Sequence, residues 1–321
     1  MTVKNQIECR TAVASAAAIL VTTGAAFAAD LPVVTKAPPV AFVPSDVHGF
    51  VDLSFGGDYM TPRGLHVTGT GLTTQIAAGL SLDLYKNKNN FINKFAVYTG
   101  TWNDLWSERR DPNVGSWQEF DWWVGAQVGF AQNWMLDMQY VEFLNPGLNG
   151  WTQRNMNVTL SYDDTSWGWP VAIKPYIRGW YQFSGPSNVT TGKVSSGYVE
   201  FGMNPTLDMK QKWGVYFVAP TWVSVGPKDY WTASAATTCG TIATPCGTSN
   251  AGVFSSGLTM YVPVTWIPKN YGNWTVRGGF QYYHLINDYL LQGQVNTGVV
   301  SNYADAKRDI VVGFAGLNFS F

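Results

Sequence analysis

Residues 118–130 read QEFDWWVGAQVGF. Every second position of this stretch is apolar: Phe120, Trp122, Val124, Ala126, Val128 and Phe130. The positions between them include Glu119, Asp121, Gln127 and Gly129. Successive side chains of a β-strand point to opposite faces, so a period of two gives this segment one apolar face and one polar face. It predicts a strand that separates an apolar environment from a polar one.

The same alternation recurs from His48 to the last residue, Phe321. It predicts about 12 strands, although about 10 or 14 would also fit. The predicted ranges are 48–60, 71–85, 91–105, 118–130, 134–144, 156–164, 171–184, 196–206, 213–225, 253–267, 274–287 and 308–321.

The connections between these strands are alternately short and long. The short ones are Lys86–Asn90, Ala131–Asn133, Thr165–Pro170, Leu207–Lys212 and Pro268–Asn273. The long ones are Thr61–Thr70, Ser107–Trp117, Asn145–Asn155, Gly185–Ser195, Gly226–Gly252 and Asp288–Lys307. Short periplasmic turns and long external loops are typical of outer-membrane β-barrels. We therefore predict an all-β fold, a transmembrane antiparallel up-and-down β-barrel.

The composition agrees with this prediction. The chain has 321 residues, of which 13% are charged and 15% aromatic, and its formal net charge is −1. That charge argues against nucleic acid as a partner. Beyond the N-terminal segment, no apolar run reaches the roughly 18 residues that a transmembrane helix requires, which excludes a helical membrane protein.

Aromatic residues flank the predicted strands at both ends. The set beside the short connections is Tyr85, Phe91, Phe130, Trp134, Trp167, Trp169, Trp213, Trp266, Trp274 and Phe321. The set beside the long loops is Tyr59, Trp106, Trp117, Phe143, Phe183 and Tyr289. Aromatic side chains settle at membrane–water interfaces, so we expect two girdles. The alternative is a soluble β-sandwich with an aromatic core, which does not explain aromatic residues at both strand ends.

The N-terminal segment predicts export. Lys4 and Arg10 precede an apolar stretch from Thr11 to Ala25, and Ala26-Phe27-Ala28 supplies the small residues of a cleavage site. We predict a signal peptide over 1–28, with a membrane anchor as the alternative. A proline-rich periplasmic segment follows over 29–47, and the barrel over 48–321. The predicted location is the outer membrane of a Gram-negative bacterium.

The C-terminal strand carries a second targeting feature. Gly316, Phe319 and Phe321 form an ending of the kind read by the barrel-insertion machinery, which makes that machinery a predicted partner. Within the other strands, proline cannot donate to a ladder of hydrogen bonds. We therefore expect bulges or breaks at Pro175, Pro205, Pro220 and Pro263.

Part of the chain resembles the TorF-like outer-membrane porin family, over roughly residues 50–165 and more weakly near Trp274–Tyr283. The matching residues are Gly57-Asp58-Tyr59, Arg63-Gly64, Gln75, Gly79-Leu80, Gly100-Thr101-Trp102-Asn103, Glu119-Phe120-Asp121, Gly125, Gln139-Tyr140 and Asn145-Pro146. The predicted mature start, Ala29-Asp30-Leu31-Pro32, is similar to those of alphaproteobacterial outer-membrane proteins. The resemblance implies a pore-like barrel without a defined substrate.

If the apolar faces meet lipid, the opposite faces line the lumen. The predicted pore-lining charges are Asp52, Asp83, Lys94, Glu119, Asp121, Asp137, Lys174, Arg178, Glu200 and Arg277. A barrel of about 12 strands lies between small filled barrels and wide porins. The first hypothesis is therefore a narrow porin-like channel for passive diffusion of small solutes. Its other expected partners are outer-membrane lipid and lipopolysaccharide.

Two alternatives stay open. One is a structural or surface-interaction barrel with a plugged lumen, in which the loop from Gly226 to Gly252 folds inward or outward. The other is a lipid hydrolase or acyltransferase, for which His284 beside Ser255 or Ser256 is the one pairing worth naming. We expect that the protein is not an enzyme.

Two cysteines and two clusters of charged residues lie in or beside the predicted loops. Cys239 and Cys246 lie close together in an exported loop, where a disulfide or two free thiols would fit. Asp163-Asp164 and Arg109-Arg110-Asp111 are charge clusters at predicted loop rims, open to solvent or to calcium and lipopolysaccharide. No spacing typical of metal ligands is present, so we expect neither a metal nor a cofactor.

Overall fold

The structure is a computed structural model, and it describes residues 46–108, 115–145, 151–184, 195–227, 230–231 and 249–321. The predicted signal peptide over 1–28 and most of the segment over 29–47 lie outside the described residues. So do Cys239, Cys246 and the Arg109-Arg110-Asp111 cluster.

The strands alternate with short turns and longer loops. In chain order they are β1 (Val47–Gly56), β2 (Tyr59–Met60), β3 (His66–Thr68), β4 (Thr73–Lys86), β5 (Ile92–Trp106), β6 (Trp117–Phe130), β7 (Trp134–Asn145), β8 (Trp151–Tyr162), β9 (Val171–Ala172), β10 (Pro175–Ser184), β11 (Ser196–Met203), β12 (Thr206–Met209), β13 (Val215–Val218), β14 (Thr221–Val225), β15 (Ala251–Pro263), β16 (Asn273–Leu285) and β17 (Asp309–Ser320). The helices are α1 (Lys210–Trp213) and α2 (Tyr289–Asn296), with 3₁₀ turns at Thr165–Trp167, Lys269–Tyr271 and Tyr303–Asp305.

All strands except β2 and β3 belong to one antiparallel sheet that closes on itself. The first strand, β1, pairs with β4 on one side and with the last strand, β17, on the other. Closure satisfies the backbone hydrogen bonds of both edges, as crossing a membrane requires. The wall consists of 12 crossings, which confirms the predicted barrel and its strand number.

Three neighbouring crossings are each interrupted by a proline. The breaks separate β9 from β10 at Lys174-Pro175, β11 from β12 at Asn204-Pro205, and β13 from β14 at Ala219-Pro220. Lys174 has a φ of 52° at its break. The Ala219 amide donates to the Pro205 carbonyl at 2.9 Å, which links two of the breaks. The predicted interruptions are confirmed, and β15 ends at Pro263.

The two faces of the wall differ as the alternation predicts. Large apolar side chains on the outward face are exposed, among them Val51, Leu80, Val124, Val158, Ile177, Phe201, Leu258, Phe280 and Val311. A continuous exposed apolar surface of this kind is stable only against lipid. None of the helices in the described residues is long and apolar enough to cross a bilayer. The chain is thus a β-barrel of the bacterial outer membrane.

The barrel has a turn end and a loop end, which are the periplasmic and external ends of an outer-membrane barrel. Aromatic side chains surround the turn end: Phe91, Trp134, Trp167, Trp169, Trp213, Trp266 and Phe321 are exposed there. Phe321 of the predicted assembly signal belongs to this set, and the half-buried Phe319 ring packs 4.7 Å from that of Trp274. Gly316 lies at the barrel wall, where a side chain would meet the Leu53 carbonyl oxygen at 2.6 Å.

The predicted outer girdle is only partly correct. Trp117 and Phe183 are exposed on the outward face. Trp106 and Tyr289 are buried instead, the Tyr59 ring packs against Trp102, and Phe143 lies beneath the Arg63 guanidinium. These four aromatic residues pack inside the barrel because the loops beside them fold inward.

Two loop boundaries also differ from the prediction. The external loop predicted at 145–155 is shorter, because β8 begins at Trp151. The first residues of β8 are polar on both faces of the strand, as at Gln153 and Arg154. The sequence there lacks the alternation of apolar and polar positions that predicts a strand. The first long loop contains the hairpin of β2 and β3, and the last contains α2.

Candidate functional site

The candidate site is the barrel lumen together with the loops that enter it. At the loop end, the β2–β3 hairpin is held by its own tip. The Thr61 amide donates to the Leu65 carbonyl at 2.9 Å, and the Leu65 amide donates to the Thr61 hydroxyl at 3.1 Å. Gly64 has a φ of 88°, and a side chain there would collide with Val253. Only glycine combines this conformation with so close an approach to the wall.

Arg63 fixes the hairpin to the barrel wall. Its guanidinium donates to the Gln153 side-chain oxygen at 3.0 Å and lies 4.9 Å from the centre of the Phe143 ring. The residue is only 8% exposed. The Arg63 carbonyl in turn accepts a hydrogen bond from the Trp231 indole at 3.3 Å. One residue therefore joins the hairpin to β7, to β8 and to another loop.

A second loop and α2 complete the inward-folded segments. Tyr230 and Trp231 are fully buried, and their rings meet edge to face at 4.8 Å. Burial raises the pKa of the Tyr230 phenol to about 12, with the nearby Arg63 guanidinium opposing the rise. The Thr297 hydroxyl, just after α2, donates to the His66 carbonyl of the hairpin at 2.8 Å. We call the β2–β3 hairpin, residues 230–231 and α2 the plug.

The plug and the wall share one apolar core. Its buried members from the plug are Met60, Tyr230, Trp231, Leu290 and Leu291, and those from the wall are Tyr198, Val253, Tyr283, Leu285 and Ile310. Packing of this kind normally lies between layers of a soluble domain. Here it lies inside a membrane barrel, so a defined part of the lumen at the loop end is filled with side chains.

Beside the plug, a cavity of about 280 Å³ contains two of the predicted lumen charges, Glu119 and Asp121. Its other walls include Tyr59 and Arg63 of the plug and Trp102 and Trp123 of the barrel. Asp121 is 7% exposed, and its Oδ1 has no hydrogen-bond partner among the described residues.

Charged and polar side chains on neighbouring strands pair with one another along the lumen wall. Asp52 and Arg277 form an ion pair, and Asn318 donates to the second Asp52 oxygen at 3.2 Å. They lie near a second cavity of about 340 Å³, which Arg277 lines. Asp137 accepts hydrogen bonds from Tyr98 and, at 2.7 Å, from Gln127.

Towards the turn end, the lumen becomes more basic. Arg178 lies 3.4 Å from the buried Glu200 carboxylate, which also accepts from Tyr176 at 2.6 Å. Arg178, Lys174 and Lys94 line a third cavity, of about 530 Å³. All ten predicted pore-lining residues therefore occur in lumen contacts or cavities, and a role in permeation remains a prediction for each.

One buried carboxylate collects three basic groups at the turn end. Asp83 has a side chain that is 2% exposed, and it forms an ion pair with Lys86. It also lies 3.3 Å from Lys94 and 2.9 Å from the His48 ring.

The acidic pair Asp163-Asp164, which was predicted at a loop rim, also lies at the turn end. Asp163 accepts from the Thr165 amide at 3.0 Å, and Asp164 accepts from the Ile173 amide at 2.8 Å. Both are turn-forming residues. The Thr165 hydroxyl, together with the Thr165 amide, lowers the pKa of the Asp163 carboxyl. Burial acts to raise the pKa of the Asp164 carboxyl, but the backbone amides of Ile173 and Lys174 outweigh it and lower that pKa.

The pairing considered for an enzyme is not formed. The His284 ring lies on the outward face, 2.7 Å from the Asp309 carboxylate. Ser255 is buried on the inward face, where it accepts from Gln281 at 2.7 Å. In the sheet register His284 pairs with Phe254, so the pleat sends His284 and Ser255 to opposite sides. The Ser256 hydroxyl is instead 3.0 Å from that of Thr221. In the described residues, no cluster of three or more His, Cys, Asp or Glu side chains is placed to hold a metal.

Comparison with known proteins gives only distant structural similarities. No protein-family model and no curated protein matches the chain. Among solved structures, the transport unit of the autotransporter AIDA-I from Escherichia coli is 11% identical, with a TM-score of 0.42, and the match covers 91% of this chain and 93% of that one. The NanC porin is 12% identical, with a TM-score of 0.43 and coverage of 84% and 98%. Outer membrane phospholipase A from E. coli is 10% identical, with a TM-score of 0.38 and coverage of 85% and 92%.

Proposed function

We propose that this protein is a narrow outer-membrane channel for passive diffusion of small solutes, with the plug as its constriction. The proposal rests on the cavities that the plug leaves unfilled in the lumen. Cavities of about 280 and 340 Å³ beside the hairpin and of about 530 Å³ towards the turn end lie on the inward face, and each contains charged side chains. A barrel whose only role is structural has no need for buried charge, which costs free energy to desolvate.

The plug sets the expected properties of this channel. A packed core at the loop end leaves room for small solutes only, so the expected conductance is well below that of a wide porin. The lumen carries both signs of charge, including Asp52 with Arg277 and Glu200 with Arg178. We therefore expect weak ion selectivity in the channel as a whole.

The second candidate is a barrel that the plug closes completely. It is supported by the burial of Tyr230, Trp231, Leu285 and Leu290, each 0% exposed. In that case the protein would act through its external surface. We also propose membership of the TorF-like family, which the resemblance of residues 50–165 supports.

Single-channel recording on the refolded protein separates the two candidates. The test compares the wild-type chain with a variant in which residues 59–68, the hairpin, are replaced by a short Gly-Ser linker. A narrow channel gives small wild-type openings, and conductance rises several-fold once the hairpin is absent. A closed barrel gives wild-type silence and openings in the variant only. Absence of channel openings in both proteins would reject a channel. Each protein is first shown to be folded by a migration on a denaturing gel that changes when the sample is heated.

A further inference from the structure

We propose that the cavity between the plug and the β5–β6 wall is a binding site for a small organic cation, such as a quaternary or primary ammonium group. The inference goes beyond passive diffusion, and it holds whether or not the barrel conducts. It rests on a cluster of acidic side chains, one with a buried oxygen unpartnered among the described residues, in a cavity with aromatic walls.

The acidic cluster consists of three neighbouring carboxyl side chains. The sheet register places Asp104 of β5 directly opposite Glu119 of β6, and Asp121 follows Glu119 on the same face. Like charges in directly opposite positions destabilise a sheet. Asp104 is fully buried, with its Oδ2 accepting from the Trp106 indole at 2.6 Å. An arrangement that costs stability in an empty barrel points to a positively charged occupant.

The carboxylates are not fully compensated by the protein itself. Arg63 is the cation whose charge acts on Glu119 and Asp121. Its guanidinium is committed to Gln153 and to the Phe143 ring. Within the described residues, one oxygen of Asp104 and one of Asp121 are buried without a hydrogen-bond partner. Buried carboxylate oxygens normally have such partners, so Asp121, which lines the cavity, presents an unused acceptor to a ligand.

The other walls have the chemistry that selects an organic cation over a hydrated metal ion. Trp102 and Tyr59 pack with ring centres 5.4 Å apart, and both line the cavity. The Trp123 ring lies against Gly100, where any side chain would collide with it. Faces of tryptophan and tyrosine attract ammonium groups through their quadrupole, most strongly when the cation is desolvated.

The size and position of the cavity fit a small ligand. Its volume, about 280 Å³, is at the lower end of the range for ligand pockets. Glu119, Trp102 and Trp123 are only half-buried, so the cavity is open to the lumen. A solute that enters the barrel can therefore reach Glu119 at the mouth of the cavity, beside Asp121.

The test uses choline chloride as the probe and 3,3-dimethylbutan-1-ol as its neutral isostere. Binding to the refolded full-length chain is measured by titration calorimetry and by tryptophan fluorescence, in an uncharged maltoside detergent. Zwitterionic detergents are avoided because many of them carry a quaternary ammonium group. The expected result is saturable choline binding with quenching of the cavity indoles, and at least tenfold weaker binding of the neutral alcohol.

Two variants and one control locate the site. Asp121→Asn removes the charge with little change of shape, and we expect it to weaken choline binding about tenfold, as the loss of a charged partner does. Trp123→Leu removes one aromatic face and should weaken binding by a similar factor. Asp208→Asn removes an equal charge from an exposed side chain at the turn end and should leave binding unchanged.

Several results would overturn the inference. Equal binding of choline and its neutral isostere would show that charge does not drive binding. If potassium chloride competes with choline more strongly than sodium chloride does at the same ionic strength, the site favours a metal ion. Binding unaffected by both cavity variants would place choline elsewhere. The channel proposal is judged separately: conductance without choline binding rejects the cation site alone, and choline binding without conductance rejects the channel alone.

Discussion

The loop end and the turn end of this barrel have opposite interiors. At the loop end, Trp231 and Leu285 are fully buried in an apolar core. At the turn end, the inward side chains of Lys86 and Lys94 remain 48% and 33% exposed beside a cavity. The wall strands run continuously through most of both regions, so the difference comes from the connections. Long loops can reach inward and bring apolar side chains with them, whereas short turns cannot.

This difference determines what the wall itself can contain. Where the wall meets the apolar core of the plug, its inward positions are apolar, as at Val253, Tyr283 and Ile310. Next to the short turns they are charged or polar, because water is their only other neighbour. An apolar inward face of a barrel strand therefore indicates that a loop covers it. Four experiments test how far the two ends behave independently.

The largest effect is expected from Trp231→Ala at the loop end. Removing a fully buried tryptophan from a packed core costs ~3–5 kcal/mol, and here the cost should release the plug and leave the barrel folded. The measurement is the rate of trypsin cleavage after Arg63, followed by mass spectrometry. We expect it to rise about a hundredfold or more. The control, Trp266→Ala, changes a residue that is 80% exposed at the turn end and should leave that rate within a factor of a few. An unchanged rate in the core variant would mean that the plug is not held by this packing.

A smaller effect is expected from Arg63→Met. The substitution keeps an unbranched apolar stem but removes the hydrogen bond to Gln153 and the charge near Glu119 and Asp121. Loss of one partner from a buried charged group costs about 3 kcal/mol. Hydrogen exchange of the Gly64 and Leu65 amides, read by mass spectrometry, should accelerate about a hundredfold.

The matched control for this experiment is Arg154→Met. Arg154 is another arginine near carboxylates and forms an ion pair with Glu142 at 2.8 Å, but its side chain is 50% exposed. An exposed ion pair contributes less than about 1 kcal/mol, so hairpin exchange should be unchanged. Equal acceleration in both variants would show that the hairpin responds to barrel stability as a whole and not to its own anchor.

The third experiment uses pH. The pKa of Tyr230 is raised from its ordinary value near 10 to about 12, because burial disfavours the phenolate. The folded plug therefore holds this proton more tightly than the released plug does. Its contribution is complete below pH ~10, and roughly 2–3 kcal/mol is lost as the pH rises towards about 12.

Quenching of tryptophan fluorescence by acrylamide between pH 8 and 11.5 follows this loss. Wild-type quenching should increase at the alkaline end, and Tyr230→Phe should reduce the increase. Tyr271→Phe, at an exposed position of the turn end, should behave as the wild type. The reverse order of the two variants would contradict the assignment to Tyr230.

The wall of the barrel was predictable from the sequence because it obeys one rule. Lipid on one side and polar groups on the other impose a period of two, and β6 shows it from Phe120 to Phe130. The prolines at 175, 205 and 220 marked the interrupted strands for an equally simple reason, since proline lacks the amide that the ladder needs. Each of these features depends on local chemistry.

The plug was not predictable in the same way, because its contacts join distant segments. Trp231 packs on Gly252 and bonds to the Arg63 carbonyl, and neither contact leaves a local pattern. One feature of the sequence does indicate the plug. Near the loop end, β15 has apolar residues on both faces at Val253 and Phe254, and Leu290-Leu291 lies in the last loop. Apolar residues on the inward face of a barrel strand indicate a packing partner in the lumen.

The smallest effect is expected at the turn end, from Asp83→Asn. The carboxylate is buried, but its partners Lys86 and Lys94 are largely solvated, so its loss costs about 1 kcal/mol or less. Thermal unfolding should therefore change little, in contrast to the loop-end variants. The electrical effect should be clearer, because three basic groups remain without their shared counter-charge. In a salt gradient, the reversal potential should shift towards anion selectivity. Asp305→Asn removes an equal charge from an exposed 3₁₀ turn at the loop end and should leave the potential unchanged. An equal shift in both variants would mean that ions sense the net charge of the barrel, and that the basic turn end has no separate influence on selectivity.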